Sequence, residues 1–181
     1  TNNHILDRVE KGISNTMKLL DELGISHTGV YPKKLNERRY NVIEKKGIKI
    51  GVYSATYGLN FYKESKLQQF EVNLLNGLDL NDSQQVCLRE IASILNEMVD
   101  EDVDLKVVYL HWSNEFELYP DNTIKTVARS IVQAGADIVI GSHPHIFQPY
   151  EIVYLNGYDQ THKYEADTSH YALQLTDNFE K

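Results

Sequence analysis

The sequence predicts an α/β fold, a layered α/β sandwich, and three observations point to it. Two short β-branched runs, Val107-Val-Tyr-Leu-His111 and Asp137-Ile-Val-Ile-Gly141, have the length and the Gly and Pro boundaries of strands buried in a layered sheet. Amphipathic helical patterns precede strand patterns along the chain, which is the α/β rhythm. Both runs then end in histidines, at His111 and at His143-Pro144-His145. Side chains just past the ends of such strands line the crevice where open α/β sheets bind ligands.

The elements follow in order. Asp7 is an expected N-cap for a helix over residues 8–23, with Ile13, Met17 and Leu20 at helical spacing, Leu19 and Leu23 widening the stripe, and Gly24 at the C′ position. His27-Thr-Gly-Val30 reads as a short strand, and residues 32–39 as a charged loop. Strands over 40–44 and 48–55, joined by Lys45-Lys46-Gly47, form a hairpin with Gly47 at positive φ. The segment from Thr56 to Tyr62 is aromatic and contains a glycine; it serves equally as the rim of a site or as a loop packed over the core edge. A short strand is expected over 70–75. Asp82 and Ser83 start a helix to about Val99 whose buried face is Val86, Ile91, Ile94, Leu95 and Met98. After a solvated acidic turn, the strand over 105–110 delivers His111. Pro120 and Asp121 start a third helix, with Ile124, Val127, Ala128, Ile131 and Val132 facing inward and Gly135 ending it. The buried strand 138–140 delivers Gly141 to His145. A further strand over 151–155, a turn at Asn156-Gly157 and one or two strands within 162–175 complete the expectation.

His143 and His145, two apart in extended backbone, are expected to project to the same side, with Pro144 biasing His143 toward extended geometry. Two such nitrogens suit metal ions held roughly 3.5–4 Å apart, as in two-metal hydrolytic sites. A lone histidine is more often a surface or hydrogen-bonded core residue; three arriving at strand ends are less easily dismissed.

Length and composition set limits. A chain of 181 residues suits one domain over 1–181, and Lys+Arg 18 against Asp+Glu 26 gives net charge −8, against a broad nucleic-acid surface. The single cysteine, Cys87, excludes an internal disulfide but not an extracellular home. No run reaches the roughly 18 apolar residues of a membrane span. The chain opens at Thr1 without Met, so an upstream portion is expected. The basic group Lys33, Lys34, Arg38, Arg39, Lys45, Lys46 and Lys49 reads as a solvated face.

Taken together, Asn2-Asn3-His4-Ile-Leu-Asp7, Lys11-Gly12, His27-Thr-Gly29, Tyr57-Gly58, His111-Trp112, Asn114-Glu115-Phe116, Ala134-Gly-Ala-Asp137 and Val139-Ile-Gly-Ser-His-Pro-His145 resemble the CapA family of bacterial capsule-synthesis proteins associated with poly-γ-glutamate. That family's domain is similar to the calcineurin-like metallophosphoesterases, so the resemblance implies a metallo-dependent phosphatase fold. The likeness runs to about Tyr154; the family's late Gly-Asn-Phe motif has only Asp177-Asn178-Phe179 as a counterpart, which sets residues 156–181 apart. The resemblance implies that Asn3, His111 and His143 bind one divalent metal (Mn, Fe or Zn), that His145 binds another, and that His4 is the catalytic acid. It also implies bridging carboxylates upstream of Thr1. Neutral imidazoles and an amide suit a borderline divalent ion and leave it able to acidify a water. Asp7 and Glu115 are expected to orient histidines.

Three functions follow as expectations. The first is capsule biosynthesis or export, at an extracytoplasmic surface, with anionic poly-γ-glutamate and other capsule-synthesis proteins as partners and membrane attachment through a segment outside this chain. The second is a metal-dependent phosphoesterase in which a metal-bound hydroxide attacks phosphorus and His4 protonates the leaving oxygen. The third is a metal-free fold that binds polymer or protein, for which the net charge of −8 requires bridging cations or a local basic patch.

Overall fold

The computed structural model describes residues 1–33, 38–75, 82–153, 155–156 and 165–166, and gives side chains for 1–33, 38–75 and 88–153. Its elements are α1 (Val9–Glu22), β1 (Val30–Pro32), β2 (Asn41–Lys45), β3 (Ile48–Thr56), β4 (Phe70–Val72), α2 (Asp82–Asp100), β5 (Leu105–His111), α3 (Asn122–Gln133), β6 (Ile138–Ser142), β7 (Leu155–Asn156) and β8 (Glu165–Ala166). The mixed helix and sheet content is the α/β class the sequence predicts.

A four-stranded sheet in the order β2-β3-β5-β6 forms the frame. The hairpin β2-β3 is antiparallel and turns through Lys46 and Gly47, both at positive φ, the geometry of a type I′ turn. β3 pairs in parallel with β5, and β5 with β6. α2 and α3 are therefore crossovers between parallel neighbours, and the right-handed rule puts both on one face. The core confirms it: Tyr53, Ala55, Val108 and Leu110 from alternate positions of β3 and β5 pack with Ile91, Leu95, Met98, Ile124, Val127 and Ile131. Asp121 caps α3 by accepting from the Ile124 N–H at 2.9 Å.

The opposite face carries Ser54, Thr56, Tyr109 and His111, and there the N-terminal segment lies. The Thr1 ammonium donates to Ser54 Oγ at 3.0 Å. Gly29, at φ +98°, permits this close approach, since a Cβ at that position would stand 2.6 Å from Thr1 Cγ2. α1 packs elsewhere, with Leu6 and Ile13 against Val30, Leu67, Phe70 and Val72 of the small β1-β4 sheet. The Glu10 carboxylate fastens that helix by accepting the Gln68 and Gln69 N–H groups at 2.7 Å, and these bonds hold its pKa below the usual value.

Several expectations need correction. Asp7 does not cap α1: the N-cap is Arg8, without a side-chain bond, and the Asp7 carboxylate is engaged by His4. Leu19 and Leu23 do not widen the buried stripe; they are exposed, and only Ile13 of this helix is fully buried. The first strand begins at Val30 rather than running from His27 to Val30, because its partners are the residues of β4. β6 is not buried on both faces: Ile138 and Ile140 are each 42% exposed, so only the face toward α3 is covered among the described residues. Of the strand expected over 151–155, residues 151–153 form no more than an isolated bridge and only Leu155 lies in a strand, β7; the loop at 34–37, Gly157 of the expected turn, and the tail except for the β7-β8 pairing lie outside the described residues.

Ile131 and Ile138 differ in burial, 0% against 42%. Ile131→Ala is expected to cost about 2–5 kcal/mol in urea unfolding, and Ile138→Ala less than about 1 kcal/mol. Equal losses would contradict the one-sided core.

Candidate metal centre

The site forms where β3, β5 and β6 end together. Parallel register places Thr56 beside His111 and His111 beside Ser142. Backbone bonds then clasp the three following loops: Tyr57 N–H donates to His111 O at 2.9 Å, Trp112 N–H to Ser142 O at 3.0 Å, and Phe116 N–H to Pro144 O at 2.8 Å. Gly141 is small because Trp112 lies against it; a Cβ there would meet Trp112 Nε1 at 2.9 Å.

The Asn2-Asn3-His4 turn, closed by the His4 N–H donating to Asn2 Oδ1 at 2.9 Å, brings Asn3 over the end of β5. Asn3 is buried, and its Oδ1 lies 2.9 Å from His111 Nε2. Two further residues aim this pair. Asn3 Nδ2 donates to Asn60 Oδ1 at 2.8 Å, which turns Oδ1 toward the histidine, and His111 Nδ1 lies 3.0 Å from Ser142 Oγ. Neither Asn60 nor Ser142 was expected from the sequence. Asn60 sits in the aromatic 56–62 loop, where only the loop's place after a strand hinted at a role. Ser142 lies inside the Gly-Ser-His motif, and an assumed partner for the Nδ1 of a ligating histidine would have found it.

The other rings close around this pair. His111 and His143 have centroids 4.8 Å apart, His143 and His145 5.9 Å, and Tyr57 and His143 5.0 Å. In the 56–62 loop Tyr57 meets a site histidine, and the residue that packs into the core around α1 is Leu59 rather than a tyrosine. The backbone that presents the histidines is not extended, however. His143 has φ +102° and His145 φ +60°, so Pro144 does not hold His143 in β geometry, and the pair converges through two left-handed residues instead. Ser113 and Phe116 on the facing loop are also at positive φ. Such conformations cost of order 1–3 kcal/mol each for non-glycine residues and concentrate at functional sites.

Electrostatics keep the central rings neutral. Burial lowers the His111 pKa to about 4, and positive charge on His143, the N-terminal ammonium, His145 and His4 acts in the same direction. Burial also lowers His143, opposed in part by the Glu115 charge. Neutral imidazole is the ligating form. The arrangement fits a divalent ion on two counts. His143 Nδ1 is buried without a hydrogen-bond partner among the described residues, a situation that costs about 1–3 kcal/mol unless a ligand satisfies it. Neighbouring ligand atoms of one ion stand about 3 Å apart, which is the separation of Asn3 Oδ1 and His111 Nε2.

His4 stands at the exposed edge. Its Nδ1 lies 2.8 Å from Asp7 Oδ2, so Asp7 engages the expected acid rather than one of the expected metal-binding histidines, and 3.4 Å from Asn60 Nδ2. The other expected orienting residue, Glu115, has its Oε1 3.8 Å from His145 Nε2, with both side chains exposed. Together Glu115, His143 and His145 present ligand atoms that all lie within 4.8 Å of one another.

Comparison with known proteins bears on this geometry. The family model for the bacterial capsule synthesis protein PGA_cap matches residues 1–163. The chain is 25% identical over 151 residues to the capsule biosynthesis protein CapA of Bacillus anthracis, covering 83% of this chain and 35% of that protein. It is 41% identical over 49 residues to the PGA biosynthesis protein CapA of Bacillus subtilis (strain 168), covering 27% of this chain and 13% of that one. The matched portions thus span about a third or less of those relatives.

The depressed His111 pKa sets a pH dependence for the metal-free protein. Above the ordinary value of 6.5 the ring is neutral folded or unfolded, and stability is full. Between 6.5 and about 4 the unfolded chain takes up a proton that the folded one resists, so stability falls as pH drops through that window. Urea midpoints measured in chelator across it are expected to fall more steeply for wild type than for His111→Gln. Parallel curves would contradict the assignment.

Proposed function

Because the chain belongs to the bacterial capsule synthesis family PGA_cap, we propose that it serves in biosynthesis or export of a poly-γ-glutamate capsule through a metallophosphoesterase-like divalent metal site. One relative is named for capsule biosynthesis and the other for PGA biosynthesis, which supports this reading. The observation that carries the site is the meeting of Asn3 Oδ1 and His111 Nε2 at 2.9 Å, beside a buried His143 nitrogen that has no other described partner.

In this reading Asn3, His111, His143 and His145 hold one or two ions of Mn, Fe or Zn. A bound divalent ion supplies Lewis acidity toward a phosphoryl or carboxylate oxygen. Asn60 and Ser142 fix the angles of Asn3 and His111 by the bonds already described. Burial keeps His111 and His143 in the neutral form that ligates. A chain of net charge −8 meets an anionic polymer through bridging cations rather than through its own surface. Other capsule-synthesis proteins are its expected neighbours, at the extracytoplasmic surface of the cell. Among the described residues no helix is long and apolar enough to cross a membrane.

One observation favours a second reading, a metal-dependent phosphoesterase. Asp7 engages His4 Nδ1, which leaves Nε2 of an exposed imidazole able to give its proton to a departing oxygen. The two readings share the metal site and differ in whether this proton moves.

Replacing the gene with a His143→Ala allele at equal protein level is expected to reduce surface polymer to the level of a deletion strain. A deletion strain with unchanged polymer contradicts the capsule role. Purified protein loaded with Mn, Fe or Zn tests the second reading on an aryl phosphodiester. There His4→Ala is expected to lower turnover about 100-fold or more, and turnover no greater than that of His143→Ala removes the reading.

A further inference from the structure

We propose that Glu115 is a direct metal ligand, completing with His143 and His145 a two-histidine, one-carboxylate set, rather than a residue that only orients a histidine. The inference rests on the metal-site reading above and extends it to an anionic donor within this chain.

Glu115 lies on the loop after β5, and Phe116 N–H donates to Pro144 O at 2.8 Å, between the two histidines. Phe116 also stacks on His145, with centroids 5.8 Å apart. The loops that carry the acid and the imidazoles are therefore one clasped unit, and left-handed residues at 113, 116, 143 and 145 shape both sides of it. Residues held this way on two different loops face each other by construction rather than by chance.

The donor atoms suit one ion. All three lie within 4.8 Å of one another, whereas opposite ligands of an octahedral ion stand about 4 Å apart and adjacent ones about 3 Å. Closing the set needs a small movement, which the side chains of Glu115 and His145, 50% and 57% exposed, are free to make. His143 is 8% exposed and supplies the fixed point, with its Nδ1 buried and unpartnered among the described residues. The 3.8 Å separation of Glu115 Oε1 from His145 Nε2 is longer than a hydrogen bond, so in the metal-free protein the carboxylate is not fixed on that imidazole. Two imidazoles and a carboxylate bind borderline divalent ions and leave positions open for substrate. One negative charge at this point also partly neutralises the ion, which favours holding it.

The test uses purified full-length protein and Co²⁺ as the probe, followed by titration calorimetry and visible absorption. Glu115→Gln is expected to weaken Co²⁺ binding at least about tenfold and, at saturating Co²⁺, to change the shape of the ligand-field spectrum; Glu115→Asp is expected to recover part of the affinity. Melting of the metal-free variants at the wild-type temperature establishes that the fold is intact, as expected for an exposed residue. Wild-type affinity and spectrum in Glu115→Gln overturn this proposal alone. A weakened affinity with an unchanged spectrum also overturns it, since that is the signature of an orienting residue. If wild-type protein takes up no Co²⁺, the metal-site reading and this proposal fall together.

Discussion

Asn3 and His111 stand 108 residues apart in the chain, and the 2.9 Å contact between their side chains is the constraint that makes the rest intelligible. It asks a turn near the amino end to lie on the sheet face opposite α2 and α3. It asks β5 to end at His111, level with Thr56 and Ser142. It also asks something to aim a buried amide oxygen at an imidazole nitrogen, and Asn60 does so by accepting from the same amide. In the metal-free protein the contact is an ordinary hydrogen bond, donated by the Nε2–H tautomer while Nδ1 accepts from the Ser142 hydroxyl. Were a divalent ion held at Nε2, the neutral ring would carry its proton on Nδ1, with Ser142 Oγ as its acceptor.

The scaffold is more deeply buried than the site it carries. One face of the β3-β5-β6 region is sealed by fully buried residues such as Met98, Leu110 and Ile131, while the loops beyond the strands depend on single backbone bonds and left-handed residues. That division is common where a packed sheet positions chemistry on its connecting loops. It also leaves the site graded in exposure: His143 is buried, His111 half-buried, and His4, Glu115 and His145 open to solvent.

The strand ends and the histidines on them were legible because apolar runs of β-branched residues bounded by Gly and Pro have few other solutions. The hairpin at 45–47 and the closing glycines at 24 and 135 were legible for a similar local reason: each needs a positive φ that glycine supplies cheaply. Less local features escaped. Asp7 has the chemistry of an N-cap, and a histidine three residues earlier outcompeted the helix for it. The left-handed backbone at His143 and His145 runs against intrinsic preference and is fixed by tertiary clasps that no window of sequence contains. Asn60 and Ser142 were invisible because an exposed loop asparagine and a serine in a motif each have many bland uses. The exposure of Ile138 and Ile140 likewise depends on what covers the sheet, and their apolar character alone reads as burial.

The central claim is that Asn3, His111 and His143, far apart in the chain, share one divalent cation position. Anomalous diffraction from crystals of the full-length protein, collected on either side of the zinc or manganese edge, tests this most directly. The account predicts a peak within bonding distance of Asn3 Oδ1, His111 Nε2 and His143 Nδ1. Crystals grown with excess metal that show no such peak, with Asn3 and His111 still paired as they are here, would contradict it.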